Sequence, residues 1–87
     1  MISAVRSLAV ELAPIRVNAV APGVVRSPLW SGMSEADRES MYRATGERLP
    51  LGRVAEVDDV ARAYLALMDQ DYVTGTVSIV DGGTLVA

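Results

Sequence analysis

Apolar residues recur at helical spacing in two stretches of the chain, residues 1–13 and residues 56–68. Such a stripe predicts an amphipathic helix with one face against a core. Pro14 ends the first helix, because proline lacks a backbone N–H and clashes with the preceding turn. A third, shorter helix is predicted to run to about Thr45, because residues 34–37 are spaced approximately as a capping box.

Two shorter segments are predicted to be β-strands. The first, Ile15–Ala21, has apolar residues on both faces, as is typical of a parallel strand covered by helices, and Pro22-Gly23 ends it. The second, Thr76–Val80, runs into Asp81-Gly82-Gly83. The order is helix, strand, a helical insert at about residues 28–50 (the insert), helix and strand. This order predicts an α/β fold with one crossover unit of a parallel sheet.

The chain is short for the amount of apolar material it carries. It has 87 residues, of which 51% are hydrophobic, so it forms at most one small domain. A small domain buries a smaller fraction of its surface than a large one. Two strands alone also leave sheet edges and faces unpaired. We therefore expect part of the apolar surface to be covered by another protein surface.

Charge and missing residue types exclude several classes of function. The net charge is −3 and all eight cations are arginines scattered among acids, which indicates a solvated surface rather than a nucleic-acid-binding one. The sequence has no His or Cys, which excludes His-based triads and thiolate sites, and no metal site is expected. No apolar run approaches the ~20 residues of a membrane span, so no membrane association is expected. Together with the absence of Cys, this predicts a cytoplasmic protein.

Six short motifs follow one another along nearly the whole chain. They are Arg6–Leu12, Arg16–Gly23, Pro50–Arg53, Asp58–Ala61, Tyr72–Gly75 and Val80–Gly83. In this order and spacing they resemble the C-terminal portion of the short-chain dehydrogenase/reductase family. The resemblance implies a partial NAD(P)-binding domain over residues 1–87. Its fold would be the C-terminal part of a Rossmann-type doubly wound parallel sheet, with two parallel strands and three to four helices.

The resemblance also implies which residues face the cofactor, NAD or NADP. Ligands of open α/β sheets bind beyond the carboxyl ends of the strands, where the Pro-Gly turn lies, and a glycine lets the backbone approach a flat ring. In the family, a backbone group at the position of Val25 meets the nicotinamide carboxamide. A hydroxyl, usually from Thr, assists at the position of Ser27. The expected cofactor-binding residues are Pro22, Gly23, Val25 and Ser27.

The insert corresponds to the family's substrate-binding lid. The expected substrate-binding residues are Trp30, Met33 and Met41. The alternative is that these side chains only pack the insert against the body. Asp81 is expected to shape the turn after the last strand rather than to catalyse, and Asn18 to support the strand and turn. Where the family often has Thr-Pro before the second long helix, Glu56-Val57 predicts a weaker cap.

The family's catalytic residues are not found in this sequence. The sequence contains no Lys, so no Tyr-x-x-x-Lys pair exists, and its glycines do not form the pyrophosphate-binding G-x-x-x-G-x-G. Alignment on the family helix places the expected Tyr and Lys just ahead of Met1. No catalytic residue is therefore expected on this chain.

Three interpretations follow from this pattern. The chain is the C-terminal segment of an NAD(P)-dependent oxidoreductase for a small alcohol or carbonyl substrate, and is inactive alone. Alternatively, it is a non-catalytic module that buries its apolar faces in a homo-oligomer. In the third interpretation, a separate N-terminal half supplies the nucleotide site and the Tyr and Lys.

Overall fold

A computed structural model describes residues 2–86 of the chain. Within them, helices and loops surround one parallel pair of strands. The helices are α1 (Ile2–Glu11), α2 (Glu35–Glu47) and α3 (Val57–Asp69), and the strands are β1 (Ala19–Pro22) and β2 (Val77–Val80). Single turns of 3₁₀ helix occur at Pro28–Trp30 and Thr84–Val86. This arrangement confirms the predicted α/β fold class. Met1, placed in the first predicted helix, lies outside the described residues.

Helix α2 begins where the sequence predicts and ends later. The Ser34 hydroxyl accepts the Asp37 N–H at 3.2 Å and so caps the helix. The helix then passes Thr45, its predicted end, and continues through Gly46. A Cβ on Gly46 would lie 3.0 Å from the Cα of Arg53. This glycine therefore allows close packing of the helix against the following loop instead of ending the helix.

Strands β1 and β2 are parallel, with Ala19 opposite Val77 and Pro22 opposite Val80. The chain between them contains the insert and α3, so this pair is the predicted crossover unit. Because parallel strands end at the same edge of a sheet, the two turns that follow them lie side by side.

Strand β1 is shorter than predicted, because it begins at Ala19 rather than at Ile15. Side chains supply several of the hydrogen bonds in the preceding segment. The Val17 N–H donates to Thr74 Oγ1 at 3.1 Å. The guanidinium of Arg16 donates to two carbonyls in the last turn of α3, those of Leu67 and Met68, at 2.9 and 3.3 Å. Carbonyls at a helix end lack the N–H four residues on that would otherwise pair with them. The alternating apolar pattern of Ile15–Ala21 therefore begins before the residues that hydrogen-bond as a strand.

The side chain of Asn18 joins the start of β1 to the segment before β2. Its Nδ2 donates to the Val73 carbonyl at 2.9 Å, and its Oδ1 accepts the Thr76 N–H at 3.1 Å. Beside it, the Gly75 N–H donates to the Val17 carbonyl at 2.8 Å. These bonds confirm the supporting role expected for Asn18.

Asp81 shapes the turn after β2, as expected. Its Oδ1 accepts the Gly83 N–H at 2.9 Å, and its carbonyl accepts the Thr84 hydroxyl at 2.9 Å. Gly83 has a φ of +99°, and a Cβ there would lie 2.6 Å from Cγ of Pro50. A side chain is excluded here by both backbone conformation and space. The turn consequently packs against the end of the insert.

Few side chains of residues 2–86 are buried. The buried hydrophobic residues are Val5, Ala9, Val20, Tyr42 and Val54. Large apolar side chains on α1, α3 and β2 stay exposed, including Val10 at 80%, Met68 at 70% and Ile79 at 51%. The radius of gyration is 15.5 Å, whereas a compact chain of this length has roughly 12 Å. Both observations support the expectation that another protein surface covers part of this chain.

Replacement of Asn18 tests its role at the start of the sheet. We expect Asn18→Ala to lower the free energy of unfolding by about 1–3 kcal/mol, because two backbone groups lose their partner. Asn18→Asp keeps an acceptor for the Thr76 N–H but places a negatively charged acceptor against the Val73 carbonyl, so it should also destabilise the chain. Urea unfolding followed by circular dichroism measures both. Equal stability of Asn18→Ala and the unchanged chain would contradict this role.

Candidate functional site

The four predicted cofactor-binding residues line one cleft at the carboxyl end of β1. The cleft has a volume of about 350 Å³. Its lining residues are Pro22, Gly23, Val25, Ser27, Leu29, Trp30, Val57 and Val60. The structure thus brings Trp30, a predicted substrate-binding residue, to the same place as the predicted cofactor-binding residues. The binding roles themselves stay predictions.

Gly23 lies where the ends of the two strands approach each other most closely. Its N–H donates to the Val80 carbonyl at 3.0 Å, which continues the parallel ladder beyond Pro22. A Cβ on Gly23 would lie 3.0 Å from both Cα and Cβ of Asp81. The glycine therefore allows the two turns to pack side by side beneath the cleft.

Val25 has a backbone N–H that is free of hydrogen bonds to residues 2–86. Val25 pairs with Ala55 in a one-residue parallel bridge, whose hydrogen bonds are made by the backbone of Val24 and Arg26 rather than of Val25 itself. The Ala55 N–H donates to the Val24 carbonyl at 3.0 Å, and the Arg26 N–H donates to the Ala55 carbonyl at 2.9 Å. In parallel pairing the groups of the intervening residue point the other way. The Val25 N–H is thus a free donor on a residue that lines the cleft.

Ser27 and Trp30 are held by bonds within their own loop. The Ser27 Oγ accepts the Leu29 N–H at 3.4 Å, and the Ser27 carbonyl accepts the Trp30 N–H at 3.3 Å. The indole Nε1 of Trp30 donates to the Val25 carbonyl at 2.9 Å. Within the described part of the chain, the Ser27 hydroxyl donates no hydrogen bond. It therefore offers a second donor at the cleft.

Met33 and Met41, also predicted to bind substrate, are not among the residues that line the cleft. Both are half-buried within the insert. The Met33 carbonyl accepts a bond from Arg38 at 3.1 Å. Their proposed contact with a substrate depends on how the insert sits when a ligand is bound.

Two cleft residues on α3, Val57 and Val60, were not predicted as site residues. Both belong to the apolar stripe of residues 56–68, which predicts a face against the core, although Val57 is 55% exposed. Their contribution to the cleft follows from the packing of the start of α3 beside the loop after β1. That proximity is visible in the bridge between Val25 and Ala55, which no local pattern indicates.

Arg26 is the centre of an ionic cluster that sequence reasoning missed, since it had assigned the arginines to a solvated surface. Its Nη1 lies 2.8 Å from Glu39 Oε1, and its Nε lies 3.4 Å from Glu56 Oε1. The guanidinium carbon lies 4.6 Å from the centroid of the Tyr42 ring. These four residues are the Arg26 cluster. The hydrogen bond with Glu39 raises the pKa of Arg26 above its ordinary value.

Asp59 is the centre of a second ionic cluster, at the start of α3. It accepts two bonds from the Arg53 guanidinium, at 2.8 and 3.2 Å, and one from Arg62 at 2.8 Å. It also accepts the Glu56 N–H at 2.8 Å, which caps the helix from inside. As expected, Glu56 itself makes no side-chain capping bond. Asp59 stabilises the start of the helix instead, by accepting the N–H of Glu56.

The hydrogen bonds from Arg53, followed by that from the Glu56 N–H, hold the pKa of the Asp59 carboxyl well below its usual range. A carboxyl with a lower pKa in the folded state stabilises the fold above its unfolded pKa, about 3.9. That stabilisation is lost as the pH falls through the folded pKa. The Asp59 cluster therefore makes the stability of the chain sensitive to acid.

Acid unfolding tests the Asp59 cluster. We expect the urea midpoint of the unchanged chain to fall as the pH drops below about 4. Asp59→Asn should be less stable at neutral pH and should lose less stability in acid, because the amide does not titrate. Asp58→Asn is the matched control, since Asp58 makes no ion pair with residues 2–86. The assignment fails if Asp59→Asn keeps the full acid sensitivity.

Within residues 2–86, the acidic side chains form no group of three that could hold a metal ion. None of the helices over the same residues is both long enough and apolar enough to span a bilayer.

The family model for enoyl-(acyl carrier protein) reductase matches residues 1–84. An uncharacterized short-chain type dehydrogenase/reductase from Sinorhizobium fredii is 44% identical over 87 residues, which covers 95% of this chain and 16% of that protein. Glucose 1-dehydrogenase from Gluconobacter oxydans is 43% identical over 83 residues, which covers 91% of this chain and 30% of that protein.

Solved structures show the same similarity. A small-chain dehydrogenase in complex with NADPH is 46% identical and superposes with a TM-score of 0.93, covering 99% of this chain and 39% of its own. The chain thus spans about a third or less of the length of the curated relatives described above.

Proposed function

Because the chain belongs to the short-chain dehydrogenase/reductase family, we propose that its cleft is the nicotinamide side of a hydride-transfer site. The whole protein would be an NAD(P)-dependent oxidoreductase acting on a small alcohol or carbonyl compound. A cofactor bound there exchanges hydride with that substrate. Residues 1–87 form part of the NAD(P)-binding domain and are inactive alone, with the insert as substrate lid.

The observation that carries this proposal is the presence of two unused donors in one largely apolar cleft. The Val25 N–H and the Ser27 hydroxyl donate no bond within the described residues and suit the oxygen of a carboxamide. Pro22 and Val60 line the same cleft and provide apolar contact for a flat ring. The cleft therefore fits a nicotinamide ring, which these residues would bind, orient and shield from water.

Substrate contacts are proposed for the insert. Trp30 lines the cleft directly, and Met33 and Met41 belong to the same insert and would meet a bound substrate as the insert closes. Their apolar side chains favour a substrate with apolar groups next to the reacting carbon.

The cofactor, the location and the assembly of the whole protein are also proposals. We propose NAD or NADP as the cofactor, supported by the relative solved with NADPH. We propose the cytoplasm as the location, since a sequence without Cys suits a reducing compartment. Exposed apolar side chains on α1 and α3 favour a homo-oligomer or a contact with an N-terminal half of the fold.

A chimera tests the cofactor role of Ser27. Residues 2–86 replace the matching segment of the small-chain dehydrogenase solved with NADPH, which is 46% identical. Titration of NADPH fluorescence then gives the Kd without a known substrate. We expect Ser27→Ala to raise the Kd about two- to tenfold, because a hydrogen bond of about 0.5–1.5 kcal/mol is lost.

Two further variants make this measurement specific. Ser27→Thr restores the family's usual residue, keeps the hydroxyl, and should bind NADPH at least as tightly as the unchanged chimera. Ser31→Ala removes an exposed hydroxyl outside the cleft and should leave the Kd unchanged. Equal effects of Ser27→Ala and Ser31→Ala would rule out a specific role for Ser27.

A second candidate function is a non-catalytic module that assembles with copies of itself. The exposure of Leu8, Val10 and Leu12 at 42%, 80% and 43% favours it, because these residues place apolar surface at and just beyond the end of α1. A stable, folded oligomer of the isolated chain in light scattering would support this candidate.

Assay of the isolated chain tests the claim that it is inactive alone. We expect no oxidation of NADH or NADPH with any carbonyl compound, because the sequence holds no Tyr-x-x-x-Lys pair and no pyrophosphate-binding glycine motif. The measurement is absorbance loss by material whose intact mass matches residues 1–87. Turnover by such material would contradict the prediction.

A further inference from the structure

The Arg26 cluster links the loop after β1 to the insert. The backbone of Arg26 is fixed to the body of the chain, because its N–H donates to the Ala55 carbonyl at 2.9 Å. Arg26 also lies between Val25 and Ser27, the two residues proposed to meet the nicotinamide. Its position is therefore defined by the same bridge that places the proposed cofactor donors.

The side chain of Arg26 reaches helix α2 of the insert. It pairs with Glu39 at 2.8 Å and lies over the ring of Tyr42, 4.6 Å from the centroid. Glu39 and Tyr42 are three residues apart and so share one face of the helix. Tyr42 is only 4% exposed, so the guanidinium contacts the best-buried side chain of α2. Glu56, 3.4 Å from Nε, brings the start of α3 to the same point.

An open groove of about 500 Å³ runs between α2 and the body, and Arg26, Glu39, Tyr42 and Glu56 are among the residues that line it. The close approach of Gly46 to Arg53 fixes the C-terminal end of the helix. The Arg26 cluster joins the middle of α2 to the loop after β1 across this groove.

We propose that Arg26 is a positioning residue, whose ion pair with Glu39 and contact with Tyr42 hold helix α2 of the insert against the loop that carries Val25 and Ser27. Release of this contact frees α2 to move away from residues 22–27. The identity of the cleft's ligand rests on the function proposed above, whereas the contact itself does not. The three charged side chains of the cluster are 38%, 48% and 58% exposed. Salt therefore reaches and weakens the pairs.

Trp30 reports on this contact because it is the only Trp in the sequence. Its indole donates to the Val25 carbonyl at 2.9 Å, next to Arg26. A second path joins it to α2, since the Met33 N–H donates to the Trp30 carbonyl at 3.1 Å and the Met33 carbonyl accepts from Arg38. Movement of α2 should therefore expose the indole to a neutral quencher such as acrylamide.

The experiment measures acrylamide quenching of Trp30 in the full chain as NaCl rises from about 0.01 M to about 1 M. Over this range the Debye length falls from about 30 Å to about 3 Å. We expect the quenching constant of the unchanged chain to rise, because loss of an exposed ion pair raises the ratio of released to held α2 about 1.4- to fivefold. Arg26→Met should show the high value at every salt concentration.

Matched variants separate the contact from general charge effects and from unfolding. Glu39→Gln keeps the shape of the side chain and should give an intermediate value, since Glu56 still pairs with Arg26. The quenching constant of the double variant, Arg26→Met with Glu39→Gln, should equal that of Arg26→Met alone, because both substitutions remove the same ion pair. Arg43→Met removes a charge from the same helix, where Arg43 makes no ion pair with residues 2–86, and should behave as the unchanged chain. Far-UV circular dichroism confirms equal helix content.

Two results would overturn the proposal. One is low-salt quenching in Glu39→Gln and Arg26→Met that matches the unchanged chain; the other is low-salt quenching in Arg43→Met that is raised as much as in Arg26→Met. If Arg26→Met loses helix content, the isosteric Glu39→Gln decides alone. Neither readout needs cofactor or activity. Failure of NADPH binding in the chimera would thus overturn the proposed function while leaving the measured contact intact.

Discussion

The parallel pairing of β1 with β2 determines where the loop that lines the cleft begins. Pro22 has no N–H, so the ladder continues through the Gly23 N–H to the Val80 carbonyl. This bond brings the two turns so close that a Cβ on Gly23 would touch the backbone of Asp81. Asn18 fixes the register at the other end of the pair. A slip of one residue would turn every side chain to the opposite face and remove the cleft.

Local patterns in the sequence were sufficient for the elements and for part of the site. Helical spacing and helix-ending residues predict α1, α2 and α3, and the Pro-Gly turn at a strand end, with the family resemblance, predicts the loop of Val25 and Ser27. The late start of β1 could not be predicted, since apolar alternation does not show whether a backbone is bonded by a strand or by side chains. Val57 was recognised as apolar, but not as a neighbour of that loop.

The arginines show the same limit of local patterns in electrostatic terms. Arg16, Arg26 and Arg53 each bond groups that are separate in the sequence: a helix end, a helix face and a helix start. A guanidinium has five donors in a planar fork, so it can serve several acceptors at once, which a lysine ammonium does less well. Arginines scattered among acids therefore have the sequence pattern of a solvated surface. In the folded chain they nevertheless join elements that share little apolar contact.

The exposed apolar side chains of α1, α3 and β2 have a consequence for the life of the polypeptide in a cell. Chaperones capture, and proteases degrade, chains that keep such surface in contact with water. A copy of this chain that meets no covering surface would be short-lived, whereas a covered copy would persist. Its abundance would then follow the supply of that covering surface more closely than its own rate of synthesis.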